Sequence, residues 1–166
     1  RLLSRGLGDV YKRQLFDWAN VDYFTVETDP RRVDEERLIF NHEKCGANRI
    51  SFGMQDLDPE VQRRVNRVQP IELFESILTD RVRGYYKEIA VDLLIGQPGQ
   101  TVKSMRATCE GIIKIKPTLV QLSLMAYKPW VAKQQLQMVA EGPLPDFYER
   151  KPVSYTHLRA HETEAY

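Results

Sequence analysis

Hydrophobic residues in this chain form four short strand-like runs, separated by segments with helical spacing. The runs are rich in β-branched, aromatic and aliphatic side chains, which favour strands. Between them, apolar residues recur every three or four positions, which predicts amphipathic helices. The predicted strands cover residues 23–27, 48–53, 88–94 and 119–126, and the predicted helices cover residues 34–44, 58–66, 70–84 and 101–115.

Capping and breaking residues mark the ends of these helices. Asp29 precedes Pro30, which is the order expected where a short helix begins. Gly46 is a stop signal for the first long helix, and Thr101 is the expected cap of the last one. We expect Gly84 to end the helix that starts at residue 70.

Strand and helix alternate four times, which argues for parallel β/α units. The run at 88–94 is apolar throughout its centre except for Asp92, as in a strand of a parallel sheet buried on both faces. The pattern predicts an α/β fold. It leaves open whether the sheet is doubly wound or part of a barrel.

Residues 1–14 and 153–166 show no apolar period, and we expect both to be non-native, adapter-like segments. The tetrapeptide at 11–14 can be encoded TATAAGAGACAG, and the reverse complement, read from its third base, encodes Val-Ser-Tyr as at 153–155. We therefore set aside the pair His157 and His161, whose spacing otherwise resembles a metal-binding motif. The expected native part is 15–152.

Charge and cysteine content restrict the function classes. The chain carries 24 Lys+Arg and 23 Asp+Glu, so nothing points to nucleic acid or an anionic membrane surface, and no apolar run approaches a membrane span. Cys45 and Cys109 lack the spacing of a zinc site or of a disulfide framework. We expect reduced thiols and a cytoplasmic protein without membrane or nucleic-acid partners.

Polar residues follow each predicted strand, where ligands of a (β/α) barrel bind. Carboxylates at such positions commonly accept hydrogen bonds from ribose hydroxyls. Some of these residues have a simpler interpretation: Asp29, Asp56 and Asp58 as helix caps, and Arg67 as a favourable charge at a helix C-terminus. Asp92 is the strongest candidate, because an acid inside a buried strand needs a partner. The residues at the strand ends are Glu27 and Asp29, Gln55 and Asp56, Asp92, and Ala126 and Tyr127.

Four blocks of the chain stand out: Val-Glu-Thr-Asp-Pro-Arg at 26–31, Asn-Arg-Ile-Ser-Phe-Gly-Met-Gln-Asp at 48–56, Asp-Leu-Leu-Ile-Gly-Gln-Pro-Gly-Gln-Thr at 92–101 and Ala-Tyr-Lys-Pro-Trp at 126–130. In this order they resemble consecutive blocks of the coproporphyrinogen oxidase class of radical-SAM enzymes. The block at 60–70, with Asn-Arg-Val-Gln at 66–69, resembles the oxidase rather than its haem-chaperone relative.

The resemblance implies a partial radical-SAM (β/α) barrel at 15–130. Residues 131–152 are then the start of the segment that follows the barrel part in members of the family. Family members carry a [4Fe–4S] cluster and two S-adenosylmethionine molecules. Glu27 and Ala126 match positions that contact the cluster-bound molecule, and Gln55, Arg67 and Asp92 match positions that contact the second.

The implied chemistry is cleavage of S-adenosylmethionine to a 5′-deoxyadenosyl radical, followed by oxidative decarboxylation of coproporphyrinogen III to protoporphyrinogen IX in haem biosynthesis. It needs an electron donor of unknown identity, and the parent enzyme is expected to be a monomer. Tyr127 departs from the family, where histidine is common. The cluster cysteines are absent, so we expect no cluster and no activity from this chain alone. A haem chaperone of the same superfamily and a noncatalytic β/α binding module are the alternatives.

Overall fold

The computed structural model describes residues 21–127, 133–140 and 144. The expectations for residues 1–14, for residues 153–166 and for the Lys-Pro-Trp end of the block at 126–130 lie outside this range, as does most of 131–152. The described elements, in chain order, are β1 Thr25–Thr28, a 3₁₀ turn Pro30–Arg32, α1 Glu35–Cys45, β2 Arg49–Gln55, α2 Pro59–Arg64, α3 Ile71–Ile77, α4 Asp80–Tyr85, β3 Glu88–Ile95, α5 Val102–Ile115, β4 Leu119–Leu124 and α6 Lys133–Ala140.

The four strands form one parallel sheet in the order β1-β2-β3-β4. Helices lie between successive strands because parallel neighbours need a crossover connection. The predicted α/β fold with parallel β/α units is therefore confirmed. In the described part of the chain, no helix is long and apolar enough to span a lipid bilayer.

The main core lies between one face of the sheet and the helices. Phe52 on β2 meets Phe74 on α3 edge to face, with ring centroids 5.9 Å apart. Such a pair adds about 1 kcal/mol to the stabilisation from burial alone. The other sheet residues of this core alternate along β2 and β3, as one face of a strand requires; they are Ile50, Met54, Ile89, Val91, Leu93 and Ile95.

Local capping chemistry explains where the helices begin and end. The Asp34 carboxylate accepts a hydrogen bond from the Arg37 backbone N–H at 2.8 Å and caps α1. Gly46 ends that helix with φ 76°, a left-handed conformation that glycine adopts without steric cost. Thr101 and Ser104 form a capping box at the start of α5.

The single helix predicted from residue 70 to Gly84 is wrong. The structure breaks it after Ile77, and Gly84 lies inside α4. The cause is Thr79, whose hydroxyl oxygen accepts a hydrogen bond from the Val82 backbone N–H at 3.3 Å and starts a new helix. The same hydroxyl donates to Glu35 at 3.1 Å, which ties the break to α1. Both short helices still direct apolar residues into the core, so the spacing of apolar residues is the same as in one continuous helix and does not indicate the break.

Candidate functional site

The face of the sheet opposite the helices carries a row of polar residues. In the parallel register Glu27 pairs with Ser51, and Gly53 pairs with Asp92. Side chains of paired residues point to the same face, and neighbouring strands lie about 4.8 Å apart. Glu27, Ser51 and Asp92 are therefore neighbours on one surface. The Ser51 hydroxyl donates to an oxygen of Asp92 at 2.8 Å, which supplies the partner that this half-buried acid needs.

A space above Gly53 is filled by two side chains from other positions. A Cβ atom placed on Gly53 would lie 3.0 Å from Nη2 of Arg67 and 3.2 Å from Nε2 of Gln55. The Gly53 carbonyl accepts a hydrogen bond from that same Nη2 at 2.7 Å. Because Gly53 is the register partner of Asp92, the guanidinium and the amide lie over the strand position next to Asp92.

A β-bulge directs Gln55 toward this space. The register with β3 shifts between Gly53 and Gln55, and Gln55 has φ 68°, which is rare for a residue with a side chain. Bulges commonly re-aim a side chain next to a functional site. Met54, the extra residue, is 1% exposed and packs in the core, and this packing holds the bulge in place.

Asp29 provides a second carboxylate at the end of β1. It pairs with Arg31 at 2.6 Å and lies 3.8 Å from Nη2 of Arg67. The hydrogen bonds from the Arg31 side chain hold the pKa of Asp29 well below its usual range, so this carboxylate stays ionised. Two guanidinium groups thus lie near the Asp29 carboxylate, and a guanidinium can also pair with an anionic ligand.

The predicted site residues have different placements. Gln55, Arg67 and Asp92 are brought together around Gly53, and Glu27 lies on the same face, exposed, one strand away. Ala126 follows the C-terminal end of β4, and its carbonyl accepts from Gln135 at 3.1 Å. Among the described residues, no hydrogen bond joins Ala126 to the Gly53 group. Whether any of these residues binds S-adenosylmethionine stays a prediction.

The capping interpretations are correct for two of the three aspartates. Asp29 and Asp58 cap the 3₁₀ turn and α2 through their side-chain oxygens. Asp56 does not cap α2. Asp56 is 1% exposed, and its carboxylate accepts from the Thr108 hydroxyl at 2.6 Å and from the Gln100 amide at 2.6 Å. It therefore joins the end of β2 to the middle of α5 and to the loop before that helix.

Sequence reasoning missed Ser51, Gly53 and Gln69 as members of this site. The signal for Gly53 was available, because glycine inside a strand often marks a close approach by another group. Nothing in the local pattern distinguishes Gln69, whose importance depends on contacts with distant residues.

The described residues do not fit an iron–sulfur cluster. No group of three or more His, Cys, Asp or Glu side chains in the described ranges is arranged to hold a metal ion. Cys45 ends α1 and Cys109 lies in α5, and burial raises the pKa of the Cys109 thiol to about 11. Cluster ligation needs several thiolates in one place. The polar sheet face is different: its guanidinium, amide and carboxylates suit a ligand with carboxylate, amino and hydroxyl groups.

Two known proteins with similar sequences are both coproporphyrinogen III oxidases by name. The oxygen-independent coproporphyrinogen III oxidase of Helicobacter pylori is 36% identical over 127 residues, which cover 76% of this chain and 27% of the relative. Coproporphyrinogen III oxidase, anaerobic 1, of Cereibacter sphaeroides is 35% identical over 130 residues, 78% of this chain and 28% of the relative. The structure of coproporphyrinogen III oxidase HemN from Escherichia coli, a radical SAM enzyme, matches 87% of this chain and 33% of that chain, with a TM-score of 0.75 and 26% identity.

The chain is similar to one segment of the oxygen-independent coproporphyrinogen III oxidases. This likeness supports the family that the sequence motifs predicted, and the HemN structure is consistent with a partial radical-SAM barrel. The chain spans about a quarter to a third of the length of these oxidases. A radical S-adenosylmethionine methyltransferase, TsrM from Kitasatospora setae, shares the fold with a TM-score of 0.53. No protein-family model matches the chain.

Proposed function

We propose that this chain is a segment of an oxygen-independent coproporphyrinogen III oxidase and that it supplies four barrel strands and a face that holds S-adenosylmethionine. The observation that carries the proposal is the meeting of Gln55, Arg67 and Asp92 around Gly53, where the absence of a side chain leaves room for them. These residues lie on different strands and loops, so local structure alone gives no reason for them to converge.

Each of these groups matches a different part of the ligand. The Arg67 guanidinium suits a carboxylate, because its planar fork donates two parallel hydrogen bonds. Asp92 accepts hydrogen bonds, which suits an amino group or the ribose hydroxyls, and the Gln55 amide both donates and accepts. Glu27 and Ala126 are proposed to contact the other S-adenosylmethionine molecule, the one bound at the cluster of the longer enzyme.

The proposed reaction of the longer enzyme is oxidative decarboxylation of coproporphyrinogen III to protoporphyrinogen IX. The S-adenosylmethionine bound at the cluster would supply the 5′-deoxyadenosyl group that takes a hydrogen atom from a propionate side chain. Glu27 and Ala126 would orient that molecule, and Gln55, Arg67 and Asp92 would orient the second, which is the contribution expected of the protein in a cofactor enzyme. The electron donor is a further partner, and we expect a cytoplasmic monomer.

The chain on its own is proposed to be inactive. It has only two cysteines, which lie on different helices, and no step of the reaction is assigned to them. Reconstitution of the full 166-residue chain with iron and sulfide is expected to give no cluster absorbance and no turnover of coproporphyrinogen III. The appearance of a cluster band would refute this part of the proposal.

Calorimetric titration of the full chain with S-adenosylmethionine tests the binding face. We expect binding that weakens about tenfold or more in Arg67→Ala, because a charge-assisted hydrogen bond is lost. Arg106→Ala, which removes an exposed arginine on α5, is the matched control and is expected to bind normally. Equal affinity in Arg67→Ala and the control would contradict the proposed site. Haem binding without S-adenosylmethionine binding would favour the haem chaperone instead.

A further inference from the structure

Gln69 occupies a fully buried position between two charged residues of the candidate site. Its side chain is 0% exposed. The amide Nε2 donates to Asp29 at 3.0 Å, and the amide oxygen accepts from Nε of Arg67 at 3.2 Å. Both ends of one side chain are therefore used, one on each charged neighbour.

A second buried glutamine fixes the backbone of Gln69. The Gln69 N–H donates to the side-chain oxygen of Gln62 at 3.0 Å, and the Gln62 amide donates back to the Gln69 carbonyl at 2.8 Å. The same Gln62 amide donates to the Asp56 carbonyl at 2.9 Å. Gln62 is 4% exposed, so water does not replace these bonds easily. The segment that carries Gln69 is thus anchored to α2 and to the end of β2.

This anchoring determines which edge of the Arg67 guanidinium faces the site. Nε donates to Gln69 and Nη2 donates to the Gly53 carbonyl. In the described ranges, Nη1 of Arg67 makes no hydrogen bond. A guanidinium has five N–H donors in a fixed plane. Nε and Nη2 are used by the protein, and Nη2 also lies 3.8 Å from the Asp29 carboxylate, so the edge that carries Nη1 is the one left for a ligand.

We propose that Gln69 is a positioning residue, which holds Arg67 in the plane where its remaining edge binds the carboxylate of S-adenosylmethionine. The proposal rests on the proposed function, and it adds a residue that does not itself touch the ligand. It also explains the buried amide: a neutral group with a donor at one end and an acceptor at the other satisfies an aspartate and an arginine together. A carboxylate at residue 69 would repel Asp29, and a cation would repel Arg67.

Two ligands that differ only in the carboxylate separate positioning from general stability. The full chain is titrated with S-adenosylmethionine and with decarboxylated S-adenosylmethionine, for wild type and for Gln69→Leu. We expect the variant to lose about tenfold or more in affinity for the first ligand and little for the second. Gln69→Asn keeps a shorter amide in the buried site and replaces the leucine variant if that variant does not fold. Equal loss for both ligands would show a merely structural role and overturn the proposal.

Hydrogen exchange at the Arg67 side chain gives a readout that needs no ligand. In ¹⁵N-labelled chain, the Arg67 Nε–H, assigned by its disappearance in Arg67→Lys, is expected to exchange slowly. Its exchange should accelerate about tenfold or more in Gln69→Leu, and unchanged exchange would overturn the proposal. If wild type binds neither ligand, the proposed function is wrong, and the exchange rate alone decides whether Gln69 holds Arg67. Tyr86→Phe, which removes a buried hydrogen bond to the Leu38 carbonyl outside this network, is the control and should change neither the exchange rate nor the ligand preference.

Discussion

Replacing Gly53 with alanine tests the candidate site with the smallest change in the sheet. Gly53 is not among the residues with positive φ, so alanine fits its backbone conformation. The added Cβ would lie 3.0 Å from Nη2 of Arg67, while ordinary contact begins near 3.4 Å. The guanidinium must therefore move by about 0.4 Å, the difference between these distances.

The expected changes in stability nearly cancel. Alanine allows the unfolded chain fewer backbone conformations than glycine does, which raises the free energy of unfolding by about 0.4–1 kcal/mol. Displacing Arg67 strains its bond to the Gly53 carbonyl, which costs about 1 kcal/mol at this partly exposed position, where the Arg67 side chain is 31% exposed. The net free energy of unfolding should change by less than about 1 kcal/mol, a few degrees in Tm.

Ligand affinity should respond far more than stability. A guanidinium moved from its plane loses bidentate geometry, and we expect S-adenosylmethionine to bind about tenfold more weakly to Gly53→Ala. Thermal unfolding by circular dichroism and calorimetric titration give the two quantities on the same samples. Gly84→Ala is the control, because a Cβ added at Gly84 would meet nothing within 4 Å. It should raise the free energy of unfolding by about 0.5–1 kcal/mol and leave the affinity for S-adenosylmethionine unchanged. A Gly53→Ala chain that binds as tightly as wild type would refute the placement of the ligand beside Gly53.

Three further predictions concern residues outside the ligand contacts. Asp56→Ala removes the acceptor of two buried donors, on Gln100 and Thr108, and of the partly buried Asp58 N–H. The free energy of unfolding in urea should fall by about 3 kcal/mol or more, and a loss below 1 kcal/mol would contradict the buried network. Asp29 has a lowered pKa because Arg31 donates hydrogen bonds to it, so its ionised carboxylate stabilises the folded chain above the unfolded pKa of about 4. This stabilisation is lost as pH falls below that value, and the Tm of Asp29→Asn should therefore fall less steeply in acid than the Tm of wild type. Burial raises the pKa of Tyr86 to about 12, so the free energy of unfolding should fall as pH rises from about 10 toward 12. Tyr86→Phe should not show this loss at alkaline pH. At neutral pH it should be about 1 kcal/mol less stable than wild type, because the 2.7 Å bond to the Leu38 carbonyl is lost.

The parallel sheet was predictable because its determinants are local. Continuous apolar strands, caps such as Thr101 and stops such as Gly46 act through neighbours in sequence, and each is found where expected. The break between α3 and α4 was not predictable from apolar spacing, because both short helices keep that spacing. The break is marked by the Thr79 cap on the Val82 backbone N–H, and the bond from Thr79 to the distant Glu35 ties it to α1.

The site was predictable only in part, for the same reason. Asp92 was singled out because an acid in an apolar strand needs a partner, and the partner, Ser51, comes from the neighbouring strand. Asp56 looked like a cap because it precedes a helix by a short distance. Its role depends on hydrogen bonds from Thr108 and Gln100, which are more than forty residues away in sequence, and a local sequence pattern cannot predict such bonds.

The bulge in β2 connects the core to the binding face. Met54 follows the alternation of Ile50 and Phe52 and stays in the core, but it has no pairing partner on β3. Pairing resumes at Gln55, which has positive φ and places its amide beside Gly53. Burying a methionine side chain contributes about 1.5–3 kcal/mol, which is comparable to the cost of about 1–3 kcal/mol for the unusual backbone conformation. The apolar core therefore stabilises the backbone that presents the polar site, and mutations at Met54 should affect ligand binding without contacting the ligand.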